Sequence, residues 1–313
     1  MFACIMTSFH GLAAAQNFPS KPIVIVVGSS PGSTTDGLAR AIANEMTIVT
    51  KQPVIVENKP GAGGGIAAQS VARAAPDGYT VFMTTNTTQA ANPFLYKKLS
   101  YDPVKDFTPV SALVKGYLLM VTNPNVKAKT VSDFISLGRK DPGKLTYGSG
   151  SSSARVAGEL FQQMTGVSLT HVPYKANPNA VIDLVSGQID MMIVDVTTSL
   201  PQVRSGRLNA LGVTSLQRSP LVPDLPTLNE TGLPGYQMSF WNALYAPANT
   251  PDSVVKTLNA LMSNAMKKDA VKRFVDQNGM EVFTSTPDEL RVFQAAELDR
   301  WGKIIKAARI EPE

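Results

Sequence analysis

A chain of 313 residues, 43 % of them hydrophobic, carries enough apolar material for two domain cores. Its 29 Lys and Arg against 24 Asp and Glu give a formal charge of +5, scattered without the dense basic stripe that a phosphate backbone demands. This excludes nucleic acid as a partner and leaves a mild field that favours small anions.

Residues 1–15 are uncharged and moderately apolar, and they end in Ala13-Ala14-Ala15, the small-residue pattern of signal-peptidase cleavage. The reading is a leader, export to the periplasm, and a mature chain starting at Gln16 or Asn17. Cys4 is the only cysteine, and His10 is one of two histidines; both leave with the leader, so His171 remains. Disulfide scaffolds, cysteine zinc sites, thiol nucleophiles and paired-histidine metal centres are thereby excluded, and neither metal nor cofactor is expected.

From Lys21 onward, short β-branched runs at 23–27, 54–57 and 80–83 alternate with amphipathic stretches at 37–48 and 64–74, and a polar turn leads to a third at 92–96. Strand then helix, repeated, predicts a parallel sheet with helices on its faces. Two strand-like runs, 108–114 and 116–122, then lie almost end to end and read as a crossover into a second series. That series has strands near 145–147, 169–172, 191–194 and 210–213, with helices at 154–165, 180–186 and near Leu200. The Pro- and Gly-rich stretch 219–235 leads back to a strand at 238–245. Helices follow at 252–266, 269–278 and 287–308, the first and last opened by Thr250-Pro251-Asp252 and Thr286-Pro287-Asp288 caps. Two crossings divide the chain into one lobe of 17–115 plus 238–313 and another of 116–237, with a cleft between them.

The loops at strand ends carry the chemistry. Gly28-Ser29-Ser30-Pro31-Gly32 fits G-x-S-x-G and would suit a serine hydrolase using Ser30, but Pro31 lacks the N–H that such an elbow contributes to its oxyanion hole. Just beyond it, Ser33, Thr34, Thr35 and Asp36 supply hydroxyls and free amides where a helix begins, with Thr35 or Asp36 as its cap; such a start attracts a carboxylate. Pro60-Gly61-Ala62-Gly63-Gly64-Gly65 fails the dinucleotide spacing and reads as a tight strand-to-helix turn. Thr85, Asn86 and Thr87 follow a strand at the edge where open α/β sheets place ligands. In the second lobe, Ser151, Ser152 and Ser153 mirror the first-lobe loop, and Arg155 in the next turn offers a bidentate clamp for a second carboxylate. Tyr174 offers a phenol and a stacking face, Asp195 ends a strand, and Phe240 with Trp241 offers an aromatic wall.

Together these segments resemble the substrate-binding proteins of tripartite tricarboxylate transporters, the Bug family, over nearly the whole chain after Phe18. The resemblance rests on Phe18-Pro-Ser-Lys-Pro22, Val56-Glu-Asn-Lys-Pro-Gly-Ala-Gly-Gly64, Ala74-Ala-Pro-Asp-Gly-Tyr79 and Leu99-Ser-Tyr-Asp-Pro-Val-Lys-Asp-Phe107. It continues through His171-Val-Pro-Tyr-Lys175, Gly187-Gln-Ile-Asp190 and Ser205-Gly-Arg-Leu208. It implies an α/β fold like that of type II periplasmic binding proteins, two lobes with a hinge and an interlobe cleft. The protein would be a monomer that captures a small organic carboxylate, dicarboxylate or aromatic acid, without chemistry, and presents it to the transporter's membrane components. The loop matching Ser33, Thr34 and Thr35 would hold one carboxylate, with Ser151 to Ser153 and the turns after Tyr174 and near Asp195 completing the site. This chain departs from the family pattern where Ser33 and Thr34 replace glycines, where Arg155 replaces a neutral residue or His, and where Ala176-Asn177-Pro178 replaces a Gly-rich turn. A ligand sensor feeding a signalling partner uses the same cleft and is the alternative reading.

Overall fold

A computed structural model of the chain describes residues 18–312. The expected leader, with Cys4 and His10, lies outside the described residues. In chain order the elements are β1 (Ile23–Val27), α1 (Thr34–Thr50), β2 (Val54–Asn58), α2 (Gly65–Ala72), β3 (Thr80–Thr85), α3 (Asn92–Leu95), β4 (Phe107–Thr122), α4 (Val131–Lys140) and β5 (Thr146–Ser149). Then come α5 (Ser152–Thr165), β6 (Thr170–Pro173), α6 (Asn177–Ser186), β7 (Met191–Asp195), α7 (Val196–Arg204) and β8 (Asn209–Val213). The chain ends with β9 (Ser239–Pro247), α8 (Asp252–Met266), α9 (Asp269–Gln277), β10 (Met280–Val282) and α10 (Pro287–Ala307). A single stretch of π-helix, Thr87–Ala91, joins β3 to α3. No helix among the described residues is long and apolar enough to cross a membrane.

Among the described residues, ten strands form a continuous mixed sheet in the order β2-β1-β3-β9-β4-β7-β5-β6, with β8 and β10 also paired to β4. The parallel pairing expected from the strand–helix alternation holds within each series: β1 with β2 and β3, and β5 with β6 and β7. It fails in the middle, where β9 runs antiparallel to β3 and β4, and β4 antiparallel to β7 and β8. Hydrophobic patterning reports which face is buried and not which way a neighbour runs.

The two runs expected at 108–114 and 116–122 are one sixteen-residue strand. Phe107 to Tyr117 pairs with β9, and Leu118 to Thr122 pairs with β7, so the ladder passes unbroken through Lys115-Gly116. Gly116 is required by packing: a Cβ there would sit 2.6 Å from the Phe240 ring on the facing strand. β4 and β9 are therefore the two strands that carry the chain between the series.

Most strands and helices fall within a few residues of expectation, and α8 matches it at both ends. Two elements were not expected. The α4 sequence Val-Ser-Asp-Phe-Ile-Ser-Leu-Gly-Arg-Lys buries only Val131, Phe134 and Gly138, although its capping box, Thr130 with Asp133, is a readable start signal. β10 is three residues long and buries only Met280. Thr286 caps α10 as expected, through a box with Glu289, but Thr250 does not cap α8: its hydroxyl donates to the Pro247 carbonyl at 2.8 Å, and Pro251 occupies the cap position. Helices α8 and α9 pack on α1, and α10 lies along β4 and the π-helix.

Candidate functional site

The carboxyl ends of β1 and β3 face those of β5 and β7 across a cavity of about 110 Å³. That is room for a small organic molecule rather than a single water. α1 and α5 both begin at its wall, and the amides of their first residues have no acceptor within the helix. α1 starts three residues earlier than expected. Its cap is Ser33, whose Oγ accepts from the Asp36 N–H at 3.3 Å, so Thr35 and Asp36 lie inside the first turn and do not cap it. Ser151 caps α5 in the same way, accepting from the Ala154 N–H at 3.2 Å.

Asp36 does not line the cavity; it holds the β1–α1 loop in shape. Its carboxylate accepts from the Gly32 N–H at 2.9 Å, Asn58 Nδ2 at 3.0 Å and Arg40 at 2.9 Å. Burial raises the carboxyl, but the hydrogen bonds from Arg40, Gly32 and Asn58 outweigh it and hold the group below the ordinary aspartate value. Asp36→Asn is expected to cost about 1–3 kcal/mol at neutral pH, the range for a hydrogen-bonded charged group. Because the folded value is depressed, this stability is present above the unfolded carboxyl near pH 4 and disappears as pH falls through the folded value. Urea midpoints of the two proteins should therefore differ at pH 7 and draw together as pH falls below the ordinary aspartate value; a constant difference would contradict the assignment.

In the opposite wall, Asn177 ties three loops together. Its Oδ1 accepts from the Gly150 N–H at 3.0 Å, while its Nδ2 donates to Asp195 Oδ2 at 2.8 Å and to Ser151 Oγ at 3.3 Å. Among the described residues, side-chain bonds cross the cleft from Thr34 Oγ1 to Asp195 Oδ1 at 2.8 Å, from Asn86 Nδ2 to Ser153 Oγ at 2.8 Å and from Ser152 Oγ to Asn92 Oδ1 at 3.3 Å. The two walls of the cavity are thus in direct contact. Lys175 and Asp195 are the ionisable side chains in its lining, the first exposed and the second buried. Hydroxyls, amides and two helix starts supply hydrogen-bond donors suited to an anion, while Met83, Leu118, Ala176 and Phe240 give the cavity an apolar side.

Of the residues singled out in the sequence, Ser33, Thr34, Thr35, Thr85, Asn86, Thr87, Ser151, Ser153 and Asp195 line the cavity. Ser152 lies just outside it, bonded to Asn92. Arg155 is not in the lining either; it sits a turn beyond the helix tip, where its charge acts on Tyr147. Tyr174 turns away, donating to Asp183 at 2.8 Å; burial and that hydrogen bond push its hydroxyl up to about 12. Trp241 faces α10, donating from Nε1 to Glu297 at 2.8 Å, and its neighbour Phe240 supplies the aromatic wall. Successive side chains on a strand point to opposite faces, so only one of the pair can face the cleft.

Sequence reasoning placed the turn after Tyr174 at the site without picking out Lys175 and Asn177, and it passed over Gly63 and Gly64. The glycine turn read as merely tight also lines the cavity: a Cβ on Gly64 would lie 2.7 Å from Thr88, and one on Gly28 would lie 3.0 Å from the Gly64 Cα. Two backbones touch there, and this explains the run of glycines.

The family model described as tripartite tricarboxylate transporter family receptor matches residues 38–310. BugT of Bordetella pertussis is 33% identical over 308 residues, covering 96% of this chain and 94% of BugT. Among solved structures, Rpa4515 of R. palustris with adipate superposes with a TM-score of 0.92 at 34% identity, covering 95% of this chain and 100% of that one. MatC from Rhodopseudomonas palustris with bound malate gives 0.87 at 34% identity, covering 92% and 100%.

Proposed function

Since this chain belongs to the tripartite tricarboxylate transporter family of receptors, we propose that it captures a small organic carboxylate in the cavity between the two walls and delivers it to the membrane components of such a transporter. The observation that carries this reading is the meeting of two capped helix starts, α1 and α5, at one cavity that also gathers hydroxyl and amide side chains from both walls. The solved relatives hold adipate and malate. The protein works as a periplasmic monomer, exported by its leader. Its lobes are 17–115 plus 238–313 and 116–237, and they close on the ligand through the two strands that join them.

Binding without chemistry is supported by the groups present. Ser30 is not in the cavity lining, and Pro31 behind it has no N–H to offer an oxyanion. His171 bonds Ser149 at 2.8 Å and stacks on Tyr147 at 4.8 Å, also outside the lining.

A thermal-shift panel of mono-, di- and tricarboxylates tests the proposal. An acid at a hundred times its Kd stabilises the folded state by about 2.7 kcal/mol. At the usual scaling this raises the midpoint by roughly 5 °C or more. A panel in which no carboxylate raises the midpoint overturns the reading.

A further inference from the structure

A cavity built for an anion should avoid a carboxylate of its own, because like charges repel more strongly inside a protein than in water. Asp195 nevertheless lines this one at 8% exposure. The donors that hold it are neutral. Oδ1 accepts from Thr34 Oγ1 at 2.8 Å, from the Thr198 N–H at 3.1 Å and from Thr198 Oγ1 at 3.0 Å. Oδ2 accepts from Asn177 Nδ2 alone, at 2.8 Å. A carboxylate has about four acceptor positions and donates nothing. Oδ1 is crowded, and Oδ2 keeps an acceptor position. Asn177, whose own oxygen is committed to the Gly150 N–H, fixes the Asp195 side chain in this orientation.

We infer that Asp195 is a specificity-determining residue: it accepts a hydrogen bond from a hydroxyl or ammonium group of the ligand, so the site favours hydroxy- or amino-substituted carboxylates over the plain acids of the same length. This rests on the carboxylate reading above and narrows it. The ligand's carboxylate goes to the helix starts, and its donor goes to Asp195. A plain dicarboxylate would leave Asp195 facing either a second negative charge or a methylene group, and buried polar groups left unpaired are what make such sites selective.

Asp195 also caps α7 and latches the cleft through Thr34. Asp195→Asn keeps the cap and the latch, since Asn is an equally good helix cap and its Oδ1 still accepts from Thr34, and it removes the Oδ2 acceptor, giving up the bond from Asn177 Nδ2 as well. The experiment is calorimetric titration of the full chain with matched sets of three-, four- and five-carbon acids, each as the plain acid, the 2-hydroxy acid and the 2-amino acid. In the unaltered protein, a substituted acid is expected to bind at least about tenfold more tightly than its plain counterpart. In Asp195→Asn that ratio is expected to collapse toward one, partly through tighter binding of the plain acid. Equal affinities in the unaltered protein, or a ratio that survives intact in the variant, overturn the role of Asp195 while leaving carboxylate binding in place. Failure of every acid to bind overturns the carboxylate reading itself.

Discussion

Gly150→Ala is expected to weaken ligand binding by well over about tenfold and to destabilise the fold by roughly 1–3 kcal/mol, the usual cost of overpacking. A Cβ at this position would lie 2.0 Å from the Ala176 carbonyl carbon and 2.2 Å from the Asn177 nitrogen. Both atoms are backbone, so no side chain can swing aside, and the β6–α6 turn must move as a piece. That turn places Lys175, Ala176 and Asn177 in the cavity wall, and Asn177 in turn holds Asp195. The displacement also strains the Gly150 N–H bond to Asn177 Oδ1. Gly143→Ala is the control. Gly143 has a φ of +77° and nothing within 4 Å of an added Cβ, so it should lose stability of order 1 kcal/mol through backbone strain with no change in affinity. Calorimetric titration with the best acid of the panel, beside urea denaturation, separates the two. An unchanged Kd in Gly150→Ala would show that the turn is not part of the binding wall.

Glu297→Ala is expected to cost about 2–5 kcal/mol, because it strands two buried indole N–H groups at about 1–3 kcal/mol each. Glu297 is buried in α10 and accepts from Trp241 Nε1 at 2.8 Å and Trp301 Nε1 at 3.2 Å, while Arg300 pairs with its other oxygen at 3.2 Å. These are the only two tryptophans in the sequence, so intrinsic fluorescence reports directly on the cluster. The emission should shift to the red as water reaches the indoles. Glu297→Gln keeps an acceptor oxygen where both indoles bond and should lose less, through the Arg300 pair. The consequence extends to the cleft: the Trp241 backbone N–H donates to Asn86 Oδ1 at 3.3 Å, and Asn86 Nδ2 bonds Ser153 on the far wall. A urea midpoint shifted by less than the equivalent of about 0.5 kcal/mol, the range of an ordinary surface change, would remove Glu297 from this role.

Particular elements show where sequence reading succeeds. β1 and α8 were legible to the residue because an apolar run or a helical period is closed on both sides by turn or cap signals. The α1 start was not, because Ser-Thr-Thr-Asp offers four competent caps in a row, and only backbone geometry selects Ser33. Trp241 against Phe240 was a question of strand parity. It is settled by the register that sets Phe240 opposite Gly116, where the missing side chain makes room for the ring. Arg155 against Lys175 was a question of depth. The cavity meets α5 end-on, so the cation in its lining, Lys175, comes from a neighbouring turn and not from a residue one helical turn, about 5 Å, behind the tip.

The sequence by itself determined the family, the alternation of strands and helices, and the polar loops at the strand ends that supply most of the cavity wall. Those are local signals: hydrophobic period, caps, glycine turns, and motifs in order. Only the tertiary structure decided the antiparallel centre of the sheet, the facing of each side chain, and pairs such as Thr34 with Asp195, 161 residues apart. No local pattern encodes such a pair, because its energy exists only once the two walls have been brought together.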